Sequence, residues 1–203
     1  MLKRLFDILF SAGTLIVLAP LMLSVALWIK IDSPGPVLFR QVRVGRGGGY
    51  FRILKFRSMR MDTAARGPQL TVGHDPRITR AGAWIRRYKI DEFPQFINVL
   101  VGDMSLVGPR PEVPRYVDLY PPDVRDLVLS VRPGITDLAS IEYRDESEVL
   151  GRSPDPEKAY IEQVLPAKLA LCQRYVRERS FAGDLAIIGR SMRVSFARHS
   201  PGP

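Results

Sequence analysis

The stretch of this sequence with the clearest chemical potential is KIDEFPQFINVL, residues 89–100, in which Asp91 and Glu92 stand side by side. Two adjacent carboxylates can divide one reaction between them, with one acting as a nucleophile and the other assisting it. They can equally be ordinary helix residues, because acidic side chains are favoured in a first helical turn, where Pro94 is also tolerated. The stretch alone leaves a reactive pair and an acidic helix start both open.

The elements around this pair can be predicted from the spacing of apolar residues. Residues 77–104 have the helical period in two pieces, one before and one after the carboxylates. Further helices are predicted at about 123–131 and 156–179, and residues 184–196 interleave apolar residues with Arg190 and Arg193, as interfacial helices do. Residues 62–79 have the composition of a loop, and 198–203 that of a flexible tail.

Residues 37–59, VLFRQVRVGRGGGYFRILKFRSM, are predicted to form two strands around a glycine turn. The bare N–H groups of GRGGG could cradle a phosphate, although a flexible hairpin turn is the favoured interpretation. The turn matches neither the dinucleotide-binding nor the P-loop pattern.

The first apolar unit runs from Leu5 to Ile29, and Asp7 is its one charged residue. As a helix it would reach about 37 Å, enough to cross a hydrocarbon core of about 30 Å. A spanning helix is the ordinary interpretation, and the length of the run disfavours a cleaved signal peptide. A re-entrant hairpin is favoured by Pro20 near the middle and by basic residues on both flanks, Lys3 and Arg4 on the first.

Composition narrows the class of protein. The chain has 203 residues, 46% of them hydrophobic, which suits one domain with a real core. Its net charge of +9 calls for an anionic partner, and 24 of the 30 basic residues are arginines, which suit phosphate or lipid headgroups unless genomic base composition causes the excess. One cysteine and two histidines exclude a disulfide framework or a structural zinc site.

Taken together, the motifs GPVLFRQVRVGRGG, KFRSM, DEFPQFINVLVGDMSLVGPRP and RPGIT closely resemble the monotopic phosphoglycosyl transferases, bacterial enzymes that begin lipid-linked glycan assembly. The resemblance covers nearly the whole chain, in its minimal catalytic form. It implies an α/β-like, irregular fold with a re-entrant membrane helix-hairpin at residues 1–31, a short β-hairpin and interfacial amphipathic helices. The catalytic domain would cover 32–197, on the cytoplasmic face of the bacterial inner membrane.

The resemblance also implies an activity. A phospho-sugar would pass from a UDP-sugar to polyprenyl phosphate, releasing UMP, through a covalent intermediate on Asp91 with Mg²⁺ as cofactor. Asp91 would also hold the metal, and Glu92 would either bind metal or take a proton from the acceptor. Candidate substrate-binding residues are Lys55, Arg57, Arg86, Arg110 and Glu112. A pyrophosphate resists attack by an anion, so cationic donors and a metal are what this chemistry needs.

Two positions depart from the family pattern. Ala19 precedes Pro20 where many relatives have serine, and DLASIEYRDE follows RPGIT where many have glycine and a glutamine-containing segment. The second departure leaves the sugar undetermined, and the oligomeric state is open, with a homodimer compatible.

Two other classes of protein compete with this interpretation. A nucleic-acid-binding protein would explain the charge but not the apolar N-terminus, so no nucleic acid is expected, and an inactive membrane-anchored scaffold would not need Asp91.

Overall fold

The structure is a computed structural model and describes residues 1–61 and 75–197. The predicted tail at 198–203 and most of the predicted loop at 62–79 lie outside these ranges. Within them, helices surround two small two-stranded sheets. The expectation of a mixed, irregular fold with short strands is confirmed at this level.

Helix α1 covers Leu2–Asp32, and in the described part of the chain it is the one helix long and apolar enough to cross a membrane. The helix continues through Pro20, and the hairpin predicted for this segment is not shown. The Ser24 hydroxyl donates to the Pro20 carbonyl at 2.9 Å. Most apolar side chains of α1 are exposed, Ile16 and Val17 among them, which a soluble domain would bury.

Strands β1, Leu38–Val44, and β2, Tyr50–Phe56, form the predicted antiparallel hairpin. Leu38 pairs with Phe56 at the open end, and Val44 pairs with Tyr50 beside the glycine turn. Ile53 and Phe56 are three residues apart, so they lie on opposite faces of β2, and each is buried in a different apolar cluster. Strand β2 also packs against residues 90–92 and 95–101, which belong to the segment that carries the candidate site.

The site segment consists of helix α2, Arg80–Arg87, a 3₁₀ turn at Ile90–Glu92 and helix α3, Gln95–Val101. Thr79 caps α2 by accepting from the Gly82 N–H at 3.0 Å. Helix α2 ends where Lys89 adopts φ +59°, the left-handed region, which redirects the chain into the 3₁₀ turn. The two helical pieces predicted for residues 77–104 are therefore confirmed.

A second sheet, which periodicity did not predict, pairs β3, Ser105–Val107, in parallel with β4, Gly134–Thr136. The loops after β3 and before β4 cross so closely that a Cβ at Gly134 would lie 2.2 Å from the Gly108 nitrogen. No side chain fits at that crossing. It fixes the position of the proline-rich loop that carries Arg110.

The C-terminal half is helical and packs around both sheets. Between β3 and β4 lie α4, Pro114–Val117, and α5, Pro122–Leu129. After β4 the chain forms α6, Leu138–Glu142; α7, Glu146–Gly151; α8, Pro156–Ala159; a π turn, Tyr160–Val164; α9, Leu165–Glu178; and α10, Phe181–Ala197. The helices predicted at 123–131, 156–179 and 184–196 are thus confirmed with shifted ends.

Among the described residues, three apolar clusters form the core, and the site segment joins two of them. Ile90 packs with Val25 and Ile29 of α1 and with Ile85 of α2. Val99 belongs to the central cluster, which also contains residues of β2, β3, α9 and α10. Because both flanks of the 3₁₀ turn are buried, the carboxylates between them are held in place by packing.

Candidate active site

Asp91 lies in the 3₁₀ turn with only 7% of its surface exposed. Within residues 1–61 and 75–197, no group donates a hydrogen bond to its carboxylate, and neither the 3₁₀ turn nor α3 has a side-chain cap. Asp91 therefore lies in the first turn of the 3₁₀ segment without making a capping hydrogen bond. A buried carboxylate without donors is held at a free-energy cost, and such positions often have a chemical role.

Glu92, the next residue, differs from Asp91 because two cationic side chains donate hydrogen bonds to its carboxylate. Lys55 donates from Nζ to Glu92 Oε1 at 3.0 Å, and the Arg110 guanidinium bonds to both carboxylate oxygens, at 3.4 Å for the Nη1 to Oε2 contact. These groups come from β2, the 3₁₀ turn and the loop after β3. Three separate elements thus converge on one carboxylate.

The two carboxyl groups have pKa values shifted in opposite directions. Burial, together with the neighbouring charge of Glu92, raises the pKa of Asp91, against the charges of Lys55 and Arg86. Burial alone would also raise the pKa of Glu92, but the charges of Arg110 and Lys55 hold it well below its usual range. Glu92 is consequently the member of the pair that ionises more easily, and Asp91 is the one whose charge is unbalanced.

Glu92 should contribute stability in a pH-dependent way. Its folded pKa is depressed, so this contribution is present above the unfolded value of about 4.3 and is lost as pH falls through the folded value. We expect Glu92→Gln to unfold at a lower temperature at pH 7, because Arg110 and Lys55 are left without a partner, a loss of about 3 kcal/mol. Relief of the repulsion on Asp91 offsets part of it.

The measurement is thermal unfolding in detergent between pH 7 and pH 3.5. The gap between wild type and Glu92→Gln should narrow as the pH falls. Glu178→Gln is the matched control, since Glu178 pairs with Arg174 on the exposed face of α9. A gap that is absent, or that does not change with pH, would mean that the Glu92 cluster does not stabilise the fold.

Asp137, which no sequence pattern singled out as a site residue, holds the Arg110 loop. It is almost fully buried, and its Oδ2 accepts the Arg110 backbone N–H at 3.1 Å while its Oδ1 caps α6 through the Ser140 N–H at 2.6 Å. It is the first residue of the segment after RPGIT that departs from the family pattern. That departure was the available signal, but it did not reveal which loop the residue contacts.

Glu112 belongs to a second group of polar side chains, distinct from the group that Glu92 forms with Lys55 and Arg110. The Tyr160 hydroxyl donates to Glu112 Oε1 at 2.8 Å, and Lys168 and Arg43 lie 3.6 Å and 3.5 Å from its carboxylate. Burial lowers the pKa of Arg43, against the opposing charge of Glu112. Sequence reasoning missed Arg43, Tyr160 and Lys168, because only the fold brings their three elements together.

The other predicted substrate-binding residues divide into two groups. Lys55 lies in the Glu92 cluster, and Arg86 is near enough for its charge to oppose the raised pKa of Asp91 while its Nη1 lies 3.5 Å from Ser58 Oγ. Arg57 is not brought to the pair. Its guanidinium is 2% exposed and donates to the carbonyls of Ile29, Ser33 and Pro34 at the end of α1.

The residues predicted to contact the membrane are also placed. Lys3 donates to the Val107 carbonyl at 3.1 Å and forms an ion pair with Asp184, and Arg4 donates to the Val99 carbonyl at 2.7 Å. Both basic side chains therefore bind the domain. Pro20 is exposed, in the middle of the apolar surface of α1.

Magnesium can be tested against this donor set. In the described ranges, no three His, Cys, Asp or Glu side chains are grouped closely enough to hold a metal by themselves. Mg²⁺, however, usually takes one or two carboxylates and fills its remaining positions with water and substrate phosphate. The Asp91 carboxylate, buried and without donors, fits that mode, whereas both oxygens of Glu92 are already bound by cations.

Fold and site together place a buried carboxylate and a cationic cluster beside a long apolar helix. The chain belongs to the bacterial sugar transferase family, whose model matches residues 1–198. The resemblance in sequence motifs is thereby confirmed.

The names of individual relatives agree with this family. The chain is 43% identical over 202 residues to the exopolysaccharide production protein PSS of Rhizobium leguminosarum, covering 92% of this chain and 91% of that protein. It is 47% identical over 142 residues to the UDP-N-acetylgalactosamine-undecaprenyl-phosphate N-acetylgalactosaminephosphotransferase of Aeromonas hydrophila, covering 69% of this chain and 34% of that protein. It is 36% identical over 191 residues to the UDP-glucose:undecaprenyl-phosphate glucose-1-phosphate transferase of Escherichia coli, covering 93% of this chain and 39% of that protein.

Proposed function

We propose that the protein transfers a phospho-sugar from a UDP-sugar to polyprenyl phosphate and releases UMP. The observation that carries this proposal is the buried Asp91 carboxylate, free of hydrogen-bond donors in the described ranges, next to a carboxylate gripped by two cations. Relatives named for the same reaction, with UDP-glucose or UDP-N-acetylgalactosamine as donor, support it. As the first membrane step, the product would serve the assembly of an exopolysaccharide or a similar glycan.

The reaction would proceed in two displacements at one phosphorus. An Asp91 oxygen attacks the phosphorus that bears the sugar, an O–P bond to the enzyme forms, and the bridging bond of the pyrophosphate breaks as UMP leaves. A phosphate oxygen of the polyprenyl phosphate then attacks the same phosphorus, and the acyl phosphate bond breaks. Asp91 is returned as a carboxylate, and the phospho-sugar is now attached to the lipid.

The neighbouring residues would prepare the site for this charge. Arg110 and Lys55 reach the pair from two sides, and Glu92 fixes both cations where a pyrophosphate would lie. Because Arg110 and Lys55 hold the pKa of Glu92 well below its usual range, Glu92 is a weak base, and we assign it the role of positioning these cations in preference to taking a proton from the acceptor. Mg²⁺, held by Asp91 and the substrate, would supply the charge neutralisation that an attack of one anion on another requires.

We further propose that α1 enters and leaves the membrane on the cytoplasmic side, bending at Pro20 in the bilayer. Both ends of the helix contact the same domain, which supports this topology. At the start, the buried Asp7 carboxylate accepts from the Ser105 hydroxyl at 2.8 Å; at the end, the Asp32 carboxylate accepts from the Ala81 N–H at 3.1 Å. Residues 25 positions apart span about 37 Å of helix, so a membrane-crossing α1 would require the domain to lie on both faces.

Helix α10 supports an interfacial arrangement of the domain. Phe181 at its start packs edge-on against Phe6 of α1, with ring centroids 5.4 Å apart. Farther along, Leu185 and Met192 are exposed beside the exposed Arg193, the composition of a helix at headgroup level. The catalytic domain would then sit on the inner membrane of a bacterium, where a water-soluble donor and a lipid acceptor meet.

The proposed topology predicts the outcome of cysteine labelling. Single cysteines placed at the exposed residues 2 and 34 should both be inaccessible to an impermeant maleimide added from outside, and both should react after permeabilisation. The native Cys172 is buried and should stay silent, and the unsubstituted chain is the control for it. Labelling of residue 2 alone from outside would establish a spanning helix. Pro20→Leu should increase that labelling, because the helical hydrogen bond lost at proline is restored.

The function itself is tested by UMP release. Purified protein in detergent, with Mg²⁺ and polyprenyl phosphate, should release UMP from at least one member of a panel that includes UDP-glucose and UDP-N-acetylgalactosamine. An inactive scaffold, the alternative function, would release none from any donor. Omitting the polyprenyl phosphate should limit release to about one UMP per protein, since the enzyme-bound phospho-sugar has nowhere to go.

A further inference from the structure

The loop that carries Arg110 is attached to both small sheets by main-chain hydrogen bonds. Its Pro109 carbonyl accepts from the Gly134 N–H of β4 at 3.0 Å, and its Glu112 carbonyl accepts from the Val44 N–H of β1 at 3.0 Å. The prolines on either side of Arg110 restrict the backbone further, because proline fixes its own φ and limits the residue before it. The loop is therefore stiff, and its placement as a whole sets where Arg110 lies.

Two charged side chains hold the stretch between these attachment points, one on each side of Arg110. Asp137 Oδ2 accepts the Arg110 N–H at 3.1 Å, and Arg43 donates from Nη1 to the Pro111 carbonyl at 2.9 Å. Asp137 comes from the start of α6, and Arg43 comes from β1. Hydrogen bonds in which one partner is ionised are roughly twice as strong as those between neutral groups. Both contacts therefore hold the main chain beside Arg110 firmly.

Helix capping alone does not explain Asp137. Its Oδ1 accepts the Ser140 N–H at 2.6 Å, which is the ordinary capping bond, and serine or asparagine could make that bond as well. Asp155 is such a cap, because it is exposed and its Oδ1 accepts the Lys158 N–H of α8 at 3.0 Å. Asp137 is instead 1% exposed, and its second oxygen binds the Arg110 loop. A carboxylate is the side chain that meets two separate donors with two oxygens.

Pairing with Glu112 does not fully explain Arg43 either. Arg43 Nη1 lies 3.5 Å from Glu112 Oε2 but 2.9 Å from the Pro111 carbonyl, so it is closer to the loop main chain than to the carboxylate. Tyr160 donates to the same carboxylate at 2.8 Å, and Lys168 lies 3.6 Å from it. Glu112 thus has two other partners, and the shorter contact of Arg43 Nη1 is with the loop.

We propose that Asp137 and Arg43 are positioning residues for Arg110: together they clamp the main chain on both sides of it, so that its guanidinium meets the donor phosphate in a fixed geometry. The inference rests on the proposed function, in which Arg110 binds the pyrophosphate. A two-pronged guanidinium contact depends on direction as well as charge. A displacement of about 1 Å in such a group can slow a reaction by about 100-fold.

The test is single-turnover UMP release by the full chain carrying Asp137→Asn or Arg43→Gln. The first substitution replaces one acceptor oxygen with an N–H donor, and the second removes the cation. Each variant should slow release by about 10- to 100-fold at saturating UDP-sugar. In an Arg110→Ala background the same substitutions should change the rate by less than about 2-fold, because the group that they position is gone.

Asp155→Asn and Arg46→Gln are the matched controls. Asp155 is an exposed helix cap, and the exposed Arg46 donates from Nε to the Ser130 carbonyl at 3.1 Å, so both variants should release UMP at the wild-type rate. Thermal unfolding shows whether each variant folds. If Asp137→Asn does not fold, Asp137→Ser is measured in its place, since serine retains the cap and lacks the second oxygen. Arg43→Lys replaces Arg43→Gln in the same way, since lysine keeps the charge without the two-pronged geometry.

Each outcome decides the inference. Equal fold losses with and without Arg110 would overturn it, because the variants would then act on the fold or on another part of the site. A wild-type rate in either single variant would also overturn the clamp while leaving the proposed function standing. If the wild-type protein releases no UMP from any donor in the panel, the proposed function fails, and the inference fails with it.

Discussion

Asp91→Asn should lose essentially all UMP release, by about 10⁴-fold or more, with or without polyprenyl phosphate. The amide of asparagine is a far poorer nucleophile and metal ligand than a carboxylate, so the first bond to phosphorus cannot form. The expected direct evidence comes from intact-protein mass spectrometry after incubation with UDP-sugar and Mg²⁺. Wild type should gain a phospho-sugar that maps to Asp91 and disappears when polyprenyl phosphate is added, and the variant should gain nothing.

The same variant should fold at least as well as wild type. Burial and Glu92 raise the pKa of Asp91, so ionisation of this residue lowers stability as pH rises through the folded value. Asparagine has no charge to bury and is tolerated near helix starts about as well as aspartate. An unfolding temperature equal to or above that of wild type at pH 7, together with absent activity, separates chemistry from structure. Full activity in Asp91→Asn, or an adduct on another residue, would return the pair to an acidic helix start.

Arg110→Ala should have the second largest effect, a decrease in UMP release of about 10³-fold. Arg110 bonds to both oxygens of Glu92 from a loop fixed by Asp137, and its removal takes away both the cation meant for phosphate and the partner of a buried carboxylate. Arg110→Lys should recover part of the rate, since the charge returns without the two-pronged geometry. Steady-state kinetics with the active UDP-sugar provides the measurement.

The control for this variant is Arg174→Ala. Arg174 lies on the exposed face of α9 and pairs with Glu178, an ion pair worth little, so its removal should leave activity at the wild-type level. Equal losses in Arg110→Ala and Arg174→Ala would point to a general effect of positive charge. A wild-type rate in Arg110→Ala would remove this residue from the proposed phosphate site.

Local patterns predicted the elements well where they were long. Helical periodicity was sufficient for α2, α3, α5, α9 and α10, and alternation around the GRGGG turn predicted the β-hairpin. Strands β3 and β4 could not be found this way, because each has only three residues, too few for alternation to be visible. They are formed by a close crossing of two loops that lie far apart in sequence.

The residues of the candidate site divide in the same way, into those that the sequence predicted and those that only the fold brings together. Asp91 and Glu92 are neighbours in the sequence, and so are Arg110 and its flanking prolines. The sequence by itself therefore determined the reactive pair and a stiff loop that carries the arginine. Lys55 and Arg57 looked equivalent, being two residues apart in KFRSM. The structure alone decided that Lys55 binds Glu92 while Arg57 is buried against the end of α1.

What tertiary structure decided was therefore which charges meet. Sequence spacing sets direction along one element, but the contact of Asp137 with Arg110, and of Tyr160 with Glu112, depends on how several elements pack at once. Burial is likewise a property of the whole fold. It raises the pKa of Asp91, whereas the charges of Arg110 and Lys55 outweigh it and hold the pKa of Glu92 well below its usual range. The residue types of the site were determined locally, and their different electrostatic states arise from the low-dielectric surroundings that only the folded chain creates.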